Sequence, residues 1–298
     1  MRRALLLLLA ACNQLVDAEA ELGDCDREAD FIALAPVPGL EGQLHDQSAW
    51  LSPDELTVVF SRRTVGPPEH HGDLYVAHRD DLAHAFGAAA PLAELNTEAD
   101  EYSASLTSDL LTIYFDRQDA DGAYALFSAR RDAVDQPFGT PVPVSLHGWP
   151  GSNFQPFVAV RALFFSSAYD HGTSKLYEAP GGGSSFGTPA PVFTYDPLPF
   201  LASYENPIVT PDGRELYYSV PSRPNVVERD IWHATRSDDG AFTTPHPVTG
   251  VNADSMDYPA AVSADNCRLY FITDRGVTER GLSAPSGRLA LWVARRRE

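Results

Sequence analysis

The sequence predicts an all-β fold, a five-bladed β-propeller of four-stranded antiparallel blades, on three observations. A tight turn followed by a strand ending in an aromatic residue recurs at intervals of 50 to 55 residues, with the aromatics at Phe60, Phe115, Phe165, Tyr218 and Phe271. Self-similarity at such a period marks a repeat architecture, whose units cannot bury their own apolar faces and stack into one continuous core. Each of the first four copies carries signals for four short strands, and radial repetition of four-stranded sheets limits exposed edges. The last copy lacks its fourth strand, and a segment of matching pattern stands near the N-terminus.

The copies share an order of parts. An inner strand runs into a turn at Ser52-Pro53-Asp54-Glu55, Thr107-Ser108-Asp109-Leu110, Thr210-Pro211-Asp212-Gly213 and Ser263-Ala264-Asp265-Asn266. Proline presets φ at the first central position, and Gly or Asn accepts the left-handed one. A second strand follows, rich in β-branched and aromatic residues, as in Leu56–Phe60, Leu111–Phe115 and Leu269–Ile272. The third strand is Leu74-Tyr75-Val76-Ala77, Leu126-Phe127-Ser128-Ala129, Leu176-Tyr177-Glu178-Ala179, Ile231-Trp232-His233-Ala234 and Leu291-Trp292-Val293-Ala294. Its recurring aromatics read as inter-blade core. The fourth is announced by Phe and Pro, in Phe86 to Pro91, Phe138 to Pro141, Phe186 to Pro189 and Phe242 to Pro245. Proline suits an outermost strand, whose free side needs no donor. Blade three has Val158-Ala159-Val160-Arg161 in place of the turn motif, which predicts a tighter hairpin.

Phe31 to Pro38 has the spacing of Phe86 to Pro91, so the N-terminal segment is expected to complete blade five and close the ring. The resulting division is a leader over 1–11, an acidic tether over 12–30 and a propeller over 31–298. Its blades fall near 41–100, 101–150, 151–200, 201–250 and 251–298 with 31–38. Taken together, the turn, the Tyr-Phe strand, the Leu-Tyr-Val-Ala strand and Asn96-Thr97-Glu98-Ala99-Asp100-Glu101 resemble the WD40-like β-propeller repeats of TolB-like bacterial envelope proteins. The resemblance implies the fold. It implies no single activity, since that family includes scaffolds and sensors.

Met1-Arg2-Arg3, an apolar run and Leu9-Ala10-Ala11-Cys12 resemble a bacterial lipoprotein signal ending in a lipobox. The run is too short for a transmembrane helix, which needs about 20 residues, and fits a cleaved export signal. The competing readings are an ordinary secretory signal and a chance hydrophobic start. As a lipoprotein, the chain would be lipidated at Cys12, its only membrane contact being acyl chains. The resemblance reads Asn13 as compatible with the outer membrane. From Asp17 to Asp30 seven acidic residues stand against Arg27 alone, which argues for a solvated tether.

An exported chain makes a disulfide between Cys25 and Cys267 reasonable. Cys267 lies in the hairpin turn of blade five, at the end where the closing strand begins, and Cys25 precedes Phe31 by six residues. Two inter-strand spacings of about 4.8 Å separate the two strands. The alternative is two thiols that never meet.

The chain has 22 Lys+Arg against 41 Asp+Glu, a net charge of −19 that becomes −21 once Arg2 and Arg3 are cleaved. Nucleic acid is excluded as a partner, because phosphate binding needs clustered basic charge. Arg295-Arg296-Arg297 reads as a solvated tail. The candidate site is the channel mouth where the innermost strands begin, at Asp46, Glu101, Asn153, Glu205 and Asp257, with Tyr102, Tyr204 and Tyr258 adjacent. Such an oxygen-rich ring can line a wet channel, hold Ca²⁺ through six to eight oxygens, or place an acid and a base for glycoside hydrolysis. No Gly-x-Ser-x-Gly elbow, His-Glu-x-x-His or phosphate-binding glycine loop occurs. His70-His71 read as solvent-facing, and Gly181-Gly182-Gly183 as a flexible turn.

The expected function is therefore a non-enzymatic binding or scaffold propeller of the cell envelope, with an envelope protein or a glycan as partner. The alternative is a carbohydrate-active enzyme or glycan-binding protein using the channel carboxylates. An exposed apolar patch would favour a protein partner, and its candidates are Trp149 with Pro150, and Phe193 to Phe200.

Overall fold

The computed structural model describes residues 25–40, 48–63, 72–159, 161–169, 173–196, 202–224, 226–275 and 289–297. Residues 1–24, with Cys12, and Asp46, His70 and His71 lie outside them. Among the described residues all regular structure is extended, in five antiparallel blades arranged as a ring.

From the axis outward, blade one is Ala49–Leu51, Thr57–Arg63, Gly72–His78 and Ala90–Pro91, and blade two is Asp100–Leu106, Thr112–Gln118, Tyr124–Arg130 and Val142–Pro143. Blade three is Asn153–Ala159, Ala162–Ser167, Lys175–Gly182 and Ala190–Pro191. Blade four is Glu205–Val209, Glu215–Pro221, Arg229–Thr235 and His246–Pro247. Blade five is Asp257–Val262, Arg268–Thr273 and Ala290–Arg296, and Phe31–Pro36 is its fourth strand, with Phe31 opposite Arg296 and Pro36 opposite Trp292. The chain start thus closes the ring by backbone hydrogen bonds. A disulfide joins Cys25 to Cys267 across the same blade.

The hairpin turns share one bonding scheme. Thr107 Oγ1 and Thr210 Oγ1 donate to Asp109 and Asp212 at 2.6 Å, and Ser52 and Ser263 donate to Asp54 and Asp265 in the same way. Each hydroxyl also accepts the amide five residues on, at 2.9 to 3.0 Å. The left-handed residue is Gly213 (φ 76°) or Asn266 (φ 58°) as glycine and asparagine favour, but Glu55 (62°) and Leu110 (60°) adopt it too. In blade three Ala159 pairs directly with Ala162, the tighter hairpin its sequence predicts.

Each blade opposes its two recurring aromatics in register: Phe60 with Tyr75, Phe115 with Phe127, Phe165 with Tyr177, Tyr218 with Trp232 and Phe271 with Trp292. Five apolar clusters fill the five seams. Phe60 meets Tyr258 and Ile272 at the seam of blades five and one, Val59 meets Ile113 and Phe115 at the next, and Tyr114 meets Phe165 after that. Phe164 with Tyr218, and Tyr217 with Phe271, complete the circle.

Two expectations change. In blades one to four the paired part of the fourth strand is only two residues long, and in blades two, three and four it begins beyond the expected proline, at Val142, Ala190 and His246. The Phe-Gly or Phe-Thr step instead returns to the end of the third strand, as Gly87, Gly139, Gly187 and Thr243 donate to His78, Arg130, Pro180 and Thr235 carbonyls at 2.7 to 2.9 Å. The second change concerns Arg296, which is no solvated tail residue. Its guanidinium lies 4.2 Å from the Phe31 ring, and its Nε donates to the Asn266 carbonyl at 3.0 Å. The same clasp repeats in Arg79 over Phe86, Arg131 over Phe138 and Arg236 over Phe242, at 4.4 to 4.6 Å, each Nε bonding the carbonyl of its turn's left-handed residue. Blade three has Gly181 at this position, where an added Cβ would lie 2.9 Å from Ser185 O.

Candidate functional site

The innermost strands run from the acidic mouth to the turn face, and the two ends of the channel differ. At the acidic end each carboxylate is held within its own neighbourhood. Glu101, fully buried, accepts the Thr97 amide at 2.9 Å, the Thr97 hydroxyl at 2.5 Å and Arg117 Nε at 2.6 Å. Asp257, also fully buried, accepts the Ala253 amide at 3.1 Å, Ser255 Oγ at 3.0 Å and Arg275 Nη2 at 2.7 Å. Glu205 accepts Ser174 Oγ at 3.0 Å and faces Arg229 Nη2 at 3.3 Å. Asn153 is buried and donates to the Gly151 carbonyl at 3.0 Å, and its Oδ1 has no hydrogen-bond partner among the described residues. Asp46 lies outside the described residues.

These bonds fasten the crossovers between blades. Asn96, just before Thr97, exchanges two bonds with the Leu74 backbone of the preceding blade, and Asn252 does the same with Ile231. The polar residues of the crossover therefore grip the third strand of one blade and the first strand of the next. Asp230 faces this neighbourhood, and burial first, then Asp257 and Asp254, raise its carboxyl above the ordinary value. Among the described residues no group of three His, Cys, Asp or Glu side chains is placed to hold a metal ion.

Midway the axis narrows to a space of about 20 Å³ between Trp50, Pro156, Phe157, Pro207, Ile208 and Pro259. The inner strands bulge here, and Ser103, Gln155 and Asn206 take positive φ of 48° to 55°. Gln155 spans two blades, its Oε1 accepting Ser166 Oγ at 2.8 Å and the Asn206 amide at 2.9 Å. At the turn face the channel reopens into a cup of about 220 Å³, to which all five blades contribute: Trp50, Leu106, Phe157, Val209 and Val262 form most of its apolar wall.

A cavity of about 650 Å³ lies at the seam of blades four and five and is walled by Arg27 to Phe31, Glu215, His233, His246 and Arg296. Tyr217, His233 and His246 stack in sequence at 4.7 and 5.2 Å, and His233 Nε2 bonds Glu215. Burial raises the Glu215 carboxyl, but His233 and Thr235 outweigh it and hold the group below its ordinary value.

Glu101, Asn153, Glu205 and Asp257 stand at the starts of the inner strands, but sequence reasoning did not pair them with arginines, because Arg117, Arg229 and Arg275 become partners only once strand register is known. The cup was missed because its residues occupy ordinary strand positions.

No protein-family model matches the chain, and no curated protein matches it. Solved structures do. A putative TolB from Agrobacterium tumefaciens is similar at TM-score 0.50 and 11% identity, over 88% of this chain and 77% of that one. The catalytic domain of the Coprinopsis cinerea GH62 α-L-arabinofuranosidase is similar at TM-score 0.55 and 14% identity, over 91% and 98%. A protein of unknown function from Dyadobacter fermentans gives TM-score 0.51 at 13% identity, over 85% and 76%. At such identities the likeness establishes the propeller fold.

Proposed function

We propose that this protein is a non-enzymatic binding propeller of the bacterial cell envelope, exported and anchored through Cys12, which takes a partner at the turn face of its channel. The observation that carries the reading is the contrast between the two mouths. At one, the described ring carboxylates Glu101, Glu205 and Asp257 are each already matched by an arginine, while the other is an apolar cup open to solvent. An exposed concave apolar surface is a binding site in search of an occupant. The envelope location rests on the leader and on the likeness to TolB.

The carbohydrate-active reading has the arabinofuranosidase likeness in its favour, which is a likeness of fold. It requires two carboxylates free to act as acid and base, and Glu101, Glu205 and Asp257 would have to leave their arginines.

The test places a photoreactive residue at Ser108, on the exposed rim of the cup, and irradiates the protein in an envelope extract. A discrete adduct that disappears in Val262→Asp supports the reading. No adduct, together with hydrolysis of arabinoxylan by the purified protein, overturns it. Adding Ca²⁺ or EDTA should move the melting temperature by no more than about 2 °C, which corresponds to about 0.5 to 1 kcal/mol. A large rise with Ca²⁺ would make the acidic mouth a metal site.

A further inference from the structure

The two aromatic stretches marked in the sequence, at Trp149 and from Phe193, meet on one strand of blade three. Trp149 stacks on Tyr169 at 4.3 Å and packs against Tyr177 at 4.7 Å. Tyr177 in turn borders a pocket of about 240 Å³ that is completed by Lys175, Phe193, Tyr195, Asp196 and Tyr204. Apolar and aromatic walls with a few fixed polar groups are the usual make-up of a small-molecule site.

We propose that this pocket binds a carbohydrate, taking one pyranose ring of a glycan. Three features point to a sugar. Tyr195 is 48% exposed, an aromatic ring left to solvent at the pocket mouth. Such a ring offers an apolar face to the C–H face of a pyranose. The rim supplies an oriented acceptor and donor for hydroxyls: Lys175 Nζ lies 3.0 Å from Asp196 Oδ2 and 3.2 Å from the Ala202 carbonyl, 4.2 Å from the Tyr204 ring centroid, and Tyr204 OH donates to Asp196. Asp196 is thus held from two sides before any ligand arrives, which lowers the ordering cost of binding. Finally, the charged pair argues against an apolar protein surface as occupant. Covering Lys175 and Asp196 with such a surface would strip their water without replacing its hydrogen bonds, whereas a ring bearing hydroxyls replaces them.

The site is separate from the axial cup and does not rest on the reading of the protein as a cup-binding propeller. It also needs no carboxylate of the acidic mouth, so no hydrolysis is implied.

Saturation-transfer NMR on the full chain tests it, with methyl glucoside, galactose and N-acetylglucosamine each at millimolar concentration. The expected result is transfer to the ring protons of at least one sugar. Binding should weaken at least tenfold in Tyr195→Ala and also fall in Asp196→Asn, with Val227→Ser, at a 69% exposed position elsewhere on blade four, unchanged. Thermal melts of the variants show that each is folded. No transfer from any of the three sugars to the folded wild-type protein, or transfer that both pocket variants leave intact, overturns the proposal.

Discussion

Glu55 sits in the left-handed corner of the first hairpin turn and is 5% exposed, yet it is an acid. Its place is explained by blade five. Arg268 reaches it with Nη2 at 2.7 Å and Nε at 3.0 Å, and Tyr270 donates its hydroxyl to the same carboxylate, while Arg79 reaches Tyr270 at 3.3 Å. One side chain thus links the first blade to the last. Removing one partner of a buried pair leaves the other charge uncompensated, at about 3 to 5 kcal/mol. Arg268 is 25% exposed and water recovers part of that. We expect Glu55→Gln to cost about 2 kcal/mol in urea unfolding, and Glu55→Gln to cost almost nothing further in an Arg268→Met background. Additive losses in that double-mutant cycle would show that the two residues act separately.

At the scale of the element, the arginine clasp and the closing strand belong together. Cation–π contact contributes roughly 0.5 to 2 kcal/mol, and a hydrogen bond from a charged donor about 1.5 to 3. Arg131→Ala, within a blade made by continuous chain, should therefore cost about 2 kcal/mol. Arg296→Ala should cost more, about 3, because Arg296 also bonds the Ala29 carbonyl and so holds the strand that closes the ring. Equal costs would mean that closure does not depend on the clasp. The Cys25–Cys267 bridge spans 242 residues, and a loop of that length implies stabilisation at the upper end of the usual range, about 4 to 5 kcal/mol. Cys25→Ser should lower the melting temperature by roughly 8 to 20 °C, and a loss under about 1 kcal/mol would show that the strand is held without it. The clasp was legible in the sequence. Ala77-His78-Arg79, Ala129-Arg130-Arg131, Ala234-Thr235-Arg236 and Ala294-Arg295-Arg296 repeat one spacing, but three adjacent arginines near a chain end read as a tail. The blades were legible because strand period and turn chemistry are local. The pairing of Glu101 with Arg117 and of Asp257 with Arg275 was not, since it depends on register across a hairpin. Still less was the pocket between Tyr177 and Asp196, which the third strand of blade three builds together with residues on the connection from blade three to blade four.

For the whole molecule, the closed ring predicts that the seams fail together, and the buried tyrosines offer a way to see it. Tyr217 lies at the seam of blades four and five, Tyr258 and Tyr270 at that of five and one, and Tyr218 at that of three and four. Burial pushes the Tyr217 hydroxyl up to about 12 against the pull of Arg296, and pushes Tyr270 up to about 12 with the help of Glu55. Burial raises Tyr218 and Tyr258 as well, Tyr218 further through its neighbours Tyr204, Tyr195 and Asp196. An unfolded tyrosine ionises near 10. A group raised in the folded state contributes stability that is fully present below the unfolded value and lost as pH rises through the folded one. Stability should accordingly be level up to about pH 10 and fall between there and about 12. A closed ring cannot open one seam without loosening its neighbours, so ionisation of these four hydroxyls should coincide with loss of the β-sheet circular dichroism in a single transition. Phenolate absorbance recorded alongside the dichroism decides the matter. Coincident curves mean that the blades unfold as one unit. Phenolate formation complete near pH 10.5 with the sheet signal intact would mean that the seams admit water independently, and that the ring is a set of separately stable blades.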